Sequence, residues 1–290
     1  MRVTNNMRQT QVLRDLQAGL AKLADAQQQV ASGKRFTRPS QDPVAAARVM
    51  QADRALRGIT QYRRNSTAVR VRVDAEEATL NQLTDLLTRA KELGVGQGSD
   101  TATAASRGET AAELDRIIEQ VVALGNTKVG SEYLFGGGQT SVPPFQADGT
   151  YLGADAVRQA ELAPGYVIDT NHTGRELLET SGVVSGLAAL RDALRAGTAA
   201  GVAATVGGID SAFDQVQVLL AETGARSRQL DTVAENLTAS ESTLTAAQVA
   251  DQGISVEEAA TRMMSVQTAL QAALTSTSKV ISMSLVDYLQ

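Results

Sequence analysis

From Val44 to Leu93 the chain carries no proline, and its apolar residues recur at steps of three and four. Val69, Val73, Glu76, Leu80, Leu83, Leu87 and Ala90 trace a coiled-coil seam with one polar interruption. At 1.5 Å per residue this predicts a helix roughly 70 Å long, more than a domain of ordinary shape needs. A second tract, Ile209, Phe213, Val216, Leu220, Leu230, Leu237 and Leu244, mirrors it toward the other end of the sequence. The fold class expected is mainly α: two long arms, one outgoing and one returning, paired antiparallel into an elongated rod.

Both chain ends repeat the pattern on a smaller scale. Leu13, Leu16, Leu20, Leu23, Gln27 and Val30 form a seam near the start. Met263, Val266, Leu270, Leu274, Ile281, Leu285 and Tyr288 form a stripe near the end, opened by Ser255-Val-Glu-Glu258, the pattern of a capping box. A joint separates the first seam from the outgoing arm. Gly33 is suited to the left-handed conformation that ends a helix, Lys34 and Arg35 follow, Asp42 is placed to cap the next helix and Pro43 suits its first turn. A second break at Gly253 precedes the last stripe. A shorter helix carrying Leu114, Ile117, Val121 and Leu124 is expected after the Gly94–Gly98 break, capped around Ser99–Thr101. Gln27 and Glu76 interrupt their seams: such residues either fix register at a cost in stability or turn toward solvent, and both readings stay open.

Between Tyr133 and about Thr180 the helical period disappears. Gly136-Gly-Gly138, Pro143-Pro144, Asp148-Gly149 and Pro164-Gly165 punctuate short runs at Phe145-Gln146, Thr150–Leu152, Arg158–Leu162 and Tyr166–Ile168 that read as strands and turns. The expected domains are therefore terminal coiled-coil helices (1–33 and 255–290), a helical rod (34–138 and 181–254) and a small outer β-rich insertion (139–180).

Composition narrows the function. Aromatic residues are only 3% and tryptophan is absent, which suits helices packed closely through Ala, Leu and Val. The net charge of −5, with basic residues denser only from Arg54 to Arg72, argues against nucleic-acid binding. There is no cysteine, and the one histidine, His172, sits in a Thr-Asn-His-Thr-Gly stretch that reads as a surface turn. The glycine triplet lacks the Lys-Ser/Thr of a phosphate loop and reads as a flexible hinge. Adjacent acids such as Glu76-Glu77 read as solvated faces, and no Gly-x-Ser-x-Gly elbow occurs. No catalytic, cofactor or metal site is expected. The first residues are too polar for a cleaved secretory signal, and no run approaches the ~20 apolar residues of a membrane span.

Ala31-Ser-Gly-Lys-Arg-Phe-Thr-Arg-Pro-Ser-Gln-Asp-Pro-Val-Ala-Ala-Ala-Arg48 resembles the N-terminal signature of the flagellin superfamily. Thr223-Gly-Ala-Arg-Ser-Arg-Gln-Leu-Asp231 is similar to the returning-arm motif of that family. Glu132-Tyr-Leu-Phe-Gly-Gly137, Pro143-Pro-Phe145 and Ser282-Met-Ser-Leu-Val-Asp-Tyr-Leu289 are more similar to its hook–filament junction members than to filament subunits. Gln41 departs from the pattern, which usually has a second acid there.

The resemblance implies a structural, non-enzymatic part of the bacterial flagellum, exported unfolded by the flagellar type III apparatus. It implies terminal helices disordered in the free monomer that form a core on assembly into a ring of about eleven copies. It also implies contact with a second hook-associated junction protein and with flagellin, and an export chaperone over the C-terminal stripe. A filament flagellin is the nearest alternative; a soluble coiled-coil scaffold or signalling protein is a more distant one.

Overall fold

The computed structural model describes the backbone of residues 2–289 and the side chains of Met7 and residues 10–278. Helix α1 (Arg2–Ser32) stops where Gly33 takes φ +65° and its N–H bonds the Gln29 carbonyl at 2.9 Å. Helix α2 (Pro43–Gln97) starts with its fixed-φ proline, and Asp42 Oδ1 accepts the Ala45 N–H at 3.0 Å. Helix α3 (Ala104–Gly125) is capped by Thr103, whose hydroxyl accepts the Ser106 N–H. This is slightly beyond the expected cap, because Ser99 and Thr101 bond each other in the preceding turn.

A two-residue hairpin follows, β1 (Lys128–Val129) with β2 (Glu132–Tyr133). An isolated bridge joins Phe145 and Tyr151, and β3 (Gln159–Ala163) pairs antiparallel with β4 (Tyr166–Asp169) around Gly165, with a bulge near Glu161. The strands expected at Arg158–Leu162 and Tyr166–Ile168 are thus present as one hairpin. A π-helical turn (Arg175–Thr180) leads into α4 (Val183–Ala196), α5 (Ala199–Gln252) and α6 (Val256–Leu289). Ser255 Oγ accepts the Glu258 N–H at 3.1 Å, one arm of the expected capping box. The architecture is mainly α with small two-stranded sheets.

The chain divides into two compact units, Met1–Arg57 with Ser240–Gln290, and Gly58–Ala239. In the second, the seam residues Leu80, Leu83, Leu87 and Ala90 of α2 are wholly buried. They share one core with Leu114 and Val121 of α3, Leu187 and Leu190 of α4, and Ile209 and Val216 of α5. Leu134, Phe135, Phe145, Leu177 and Leu178 from the β-containing stretch enter the same core. Arg107 of α3 is buried and donates to the carbonyls of Gln97 (3.2 Å), Ser99 (2.8 Å) and Gly197 (2.9 Å). It thereby satisfies acceptors that the ends of α2 and α4 leave open.

The glycine triplet is not a hinge. Gly137 has φ +61°, and a side chain there would overlap the Ala154 carbonyl; at Gly136 it would overlap that of Gln139. Backbone bonds Gln139 N–H to Gly136 O (3.0 Å) and Ala154 N–H to Gly136 O (3.2 Å) fasten the triplet in place. Glycine is used here for close backbone approach, not for flexibility. Gly137→Ala is expected to lower stability by about 1–3 kcal/mol through backbone strain and overlap, read as a lower urea midpoint. An unchanged midpoint would show that the loop is not seated this way.

Candidate functional site: the paired chain ends and a buried ionic cluster

In the unit that contains both chain ends, the two helix breaks bond to each other. Lys34 bridges Gly253, Arg35 N–H donates to the Gln252 carbonyl (2.7 Å) and Ile254 N–H to that of Gly33 (3.1 Å). Around this backbone link, Arg35 reaches both Asp42 and the Asp251 carbonyl at 3.1 Å. Arg48 holds Asp251 through two nitrogens, at 2.7 and 3.0 Å. That contact lowers the pKa of the Asp251 carboxyl and raises that of the Arg48 guanidinium, in each case mainly through their mutual hydrogen bond. Gln41 earns its place by a different route from an acid: its side-chain oxygen accepts the N–H groups of Thr37 and Arg38, closing the turn before Asp42. Phe36 packs on Ala45, Ala46 and Val49 beneath it.

Helices α1 and α6 pack against each other. Gly19 makes room for Leu270, whose Cδ1 would stand 2.9 Å from a side chain placed there. Among the described residues of α1 and α6, only Ala26 and Ala259 are fully buried. Leu16, Leu23, Val30, Met263, Val266 and Leu270 are half-buried in the pair, while Leu13, Leu20 and Leu274 are 59%, 57% and 49% exposed. Gln27 also reaches solvent. Ile281, Leu285 and Tyr288 lie outside the described side chains. An open cleft of about 510 Å³ lies along the joint, lined by Lys22, Asp25 and Gln29 of α1, Arg35 and Asp42, and Arg262 of α6. Asp42 pairs with Arg35 and Asp25 with Arg38 at its wall, and no nucleophile–base pair converges in it.

The unit formed by Gly58–Ala239 holds a second feature, and there two expectations fail. His172 is not in a surface turn: it is 7% exposed. Glu76 is not solvated: it is fully buried in its seam. Glu76 Oε1 lies 2.7 Å from His172 Nδ1 and accepts the His172 backbone N–H at 2.9 Å. Its other oxygen accepts from Arg226 of α5 at 3.2 Å, and His172 Nε2 faces Glu222 of α5 at 2.9 Å. Burial alone would push the imidazole toward its neutral form. The hydrogen bond and charge of Glu76, with Glu222, outweigh burial and the opposing charge of Arg226, so its affinity for a proton is raised.

Neighbouring contacts extend this anchorage. Buried Arg72 of α2 pairs with Glu132, which also binds Arg158 at 2.6 Å. Asn65 donates to the Glu161 carbonyl at 2.8 Å, and Gln229 bonds the Tyr166 hydroxyl. The β3–β4 hairpin is thus tied to both α2 and α5. With a guanidinium inside it, the cluster is a charge-neutralising knot and not a cation cage; no group suited to a metal occurs among the described residues.

Paired terminal helices, long arms and a small β insertion define a helical structural subunit. Residues 3–140 match the bacterial flagellin N-terminal helical region, and residues 206–289 match the bacterial flagellin C-terminal helical region. The chain belongs to the flagellin family. It is 31% identical over 184 residues to flagellar hook-associated protein 3 of Salmonella typhimurium, covering 62% of this chain and 57% of that relative's length. The crystal structure of Bacillus cereus FlgL superposes with a TM-score of 0.61 at 25% identity, over 69% of this chain and 99% of that one. A putative flagellar hook-associated protein from Vibrio parahaemolyticus shares the fold, with a TM-score of 0.66 at 20% identity over 73% and 99% of the two chains.

Removing Glu76 would strand Arg226 without the carboxylate it pairs with and leave His172 with Glu222 alone. Glu76→Ala is expected to cost about 3–5 kcal/mol, measured by denaturant unfolding. A loss below about 1 kcal/mol, the range of exposed pairs, would show that the cluster is solvated.

Proposed function

We propose that this chain is a junction subunit of the bacterial flagellum, joining hook to filament as a structural part without catalytic activity. The observation that carries the reading is the pair of terminal helices in a flagellin-family chain, with Leu13, Leu20 and Leu274 left facing solvent. Two helices whose fully buried described side chains are two alanines have little apolar burial to set against ordering more than sixty residues. At about 25 cal/mol per Å², further burial against other copies supplies what the isolated pair lacks. Folding of α1 and α6 is therefore coupled to assembly, which confines polymerisation to an existing end.

On this reading residues 1–33 and 255–290 build the assembled core, with Leu13, Leu16, Leu20, Leu23, Val30, Met263, Val266, Leu270, Leu274, Ile281, Leu285 and Tyr288 at its contacts. Gly33, Lys34, Arg35, Asp42 and Pro43 set the joint that aims those helices. The partners are further copies of the chain in a ring, a second hook-associated protein, flagellin, and before export by the type III route a chaperone on the C-terminal stripe. The name of the Salmonella typhimurium relative supports the hook-associated assignment over a filament subunit. Among the described residues no helix is long and apolar enough to cross a membrane.

Deleting the gene and imaging the cells by electron microscopy tests the assignment. Hooks without filaments, with flagellin shed into the medium, are expected; filament loss with no flagellin in the medium would make this chain the filament subunit. Leu13→Asp and Leu274→Asp change exposed positions, so the monomer should keep its circular dichroism and unfolding midpoint while filament attachment fails. Normal filaments from either variant would remove these residues from the assembly interface.

A further inference from the structure

We propose that His172 is a proton-dependent latch between the β-containing insertion and α5, and that loss of its proton opens the contact to Glu222 and loosens the insertion while the bundle stays folded. The inference rests on the geometry of the ionic cluster and is independent of the assembly role. Each ring nitrogen has a carboxylate oxygen as its partner, Glu76 at Nδ1 (2.7 Å) and Glu222 at Nε2 (2.9 Å). A carboxylate only accepts, and a neutral imidazole carries one N–H and one lone pair. Both contacts are hydrogen bonds only when the ring carries two protons. Without the second, a lone pair faces an oxygen within 3 Å, at a side chain that is 8% exposed.

The two carboxylates differ in their freedom to leave. Glu76 is fully enclosed and held from two further sides: its Oε1 accepts the His172 backbone N–H and its Oε2 binds Arg226. Glu222 is 57% exposed, with His172 as the partner described for it. A neutral ring therefore keeps its N–H on Glu76 and gives up Glu222, so the contact that opens is the one to α5. The charged groups facing the ring are Glu76 from α2, and Glu222 and Arg226 from α5. Arg72, one turn earlier on α2, is engaged by Glu132, and Glu176, beyond His172 in the chain, accepts from Thr173. On the chain's own segment Asn171 donates to the carbonyls of Leu134 and His172, which holds the ring's backbone in place as the Glu222 contact opens.

The direction with pH follows. The folded state binds the proton more tightly than the unfolded chain, so the latch is complete below the ordinary imidazole value of about 6.5 and is lost as pH rises through the raised folded value. His172 is the chain's one histidine, so ring-proton NMR of the full-length protein reports this group alone. The midpoint is expected above about 6.5 in the native protein and lower in Glu222→Gln, whose amide removes the charge and pairs with a neutral ring. Hydrogen exchange at pH 6 and pH 9, corrected for intrinsic rates, should show residues 159–174 losing about tenfold protection at the higher pH while α3 keeps its own. In Glu222→Gln that loss should vanish. A native midpoint at or below about 6.5, or protection over 159–174 that does not change with pH or changes equally in Glu222→Gln, would overturn the latch.

Discussion

A carboxylate in the middle of an apolar seam has to be neutralised before the seam can close. Glu76 meets that requirement with groups drawn from far along the chain: His172 lies 96 residues away and Arg226 150. None of the three is stable in that interior alone. The knot can form only when the outgoing arm, the insertion and the returning arm have all arrived in one register, because a shift along either helix would leave a charge against leucine. A continuous apolar seam would tolerate sliding far better; a single buried charge with distant partners does not. The leucines of the seam supply most of the burial, and Glu76 determines which arrangement of them is permitted.

The other unit is organised by a different balance. Its breaks at Gly33 and Gly253 are joined by main-chain bonds, and Gly19 lets its two end helices come close at Leu270. What it lacks is a buried interior along α1 and α6. Alanines 26 and 259 and the gap at Gly19 let the helices come close, but the leucines that would normally fill a core lie at the edge or face outward. Close approach has been reached with the large side chains left at the margin, so the pair buries little of its own apolar surface.

Much of this was legible in the residues. Seam spacing located the long helices, the Gly33 and Asp42–Pro43 signals placed the joint, and the Pro164–Gly165 turn located the β3–β4 hairpin. These succeed because helix periods, caps and turns are settled by neighbours within a few positions. His172 and the glycine triplet misled for the opposite reason. Thr-Asn-His-Thr-Gly has the composition of a surface turn, and only the arrival of Glu76 and Glu222 from other helices buries it. Gly136 and Gly137 are demanded by the carbonyls of Gln139 and Ala154, a constraint absent from the triplet itself. One signal was available: Glu76 sits in the seam of one arm, and Arg226 occupies a matching stripe of the other between Thr223 and Leu230, an acid and a base on faces meant to meet. The α4 helix, short and bracketed by Gly182 and Gly197, was hidden by the contrast with the longer tracts around it.

The link between Gly33 and Gly253 is made almost wholly of main-chain atoms. Such a contact is blind to which side chains flank it, so positions 34 and 254 are free to drift in identity without weakening it. It is not blind to spacing. Adding or losing one residue between Gly33 and Arg35 would leave the Arg35 amide and the Gln252 carbonyl out of step, and no choice of side chain could restore them. Evolution can therefore vary the lettering of this joint widely while its length stays fixed, which makes residue count, more than residue type, the inherited property of the connection.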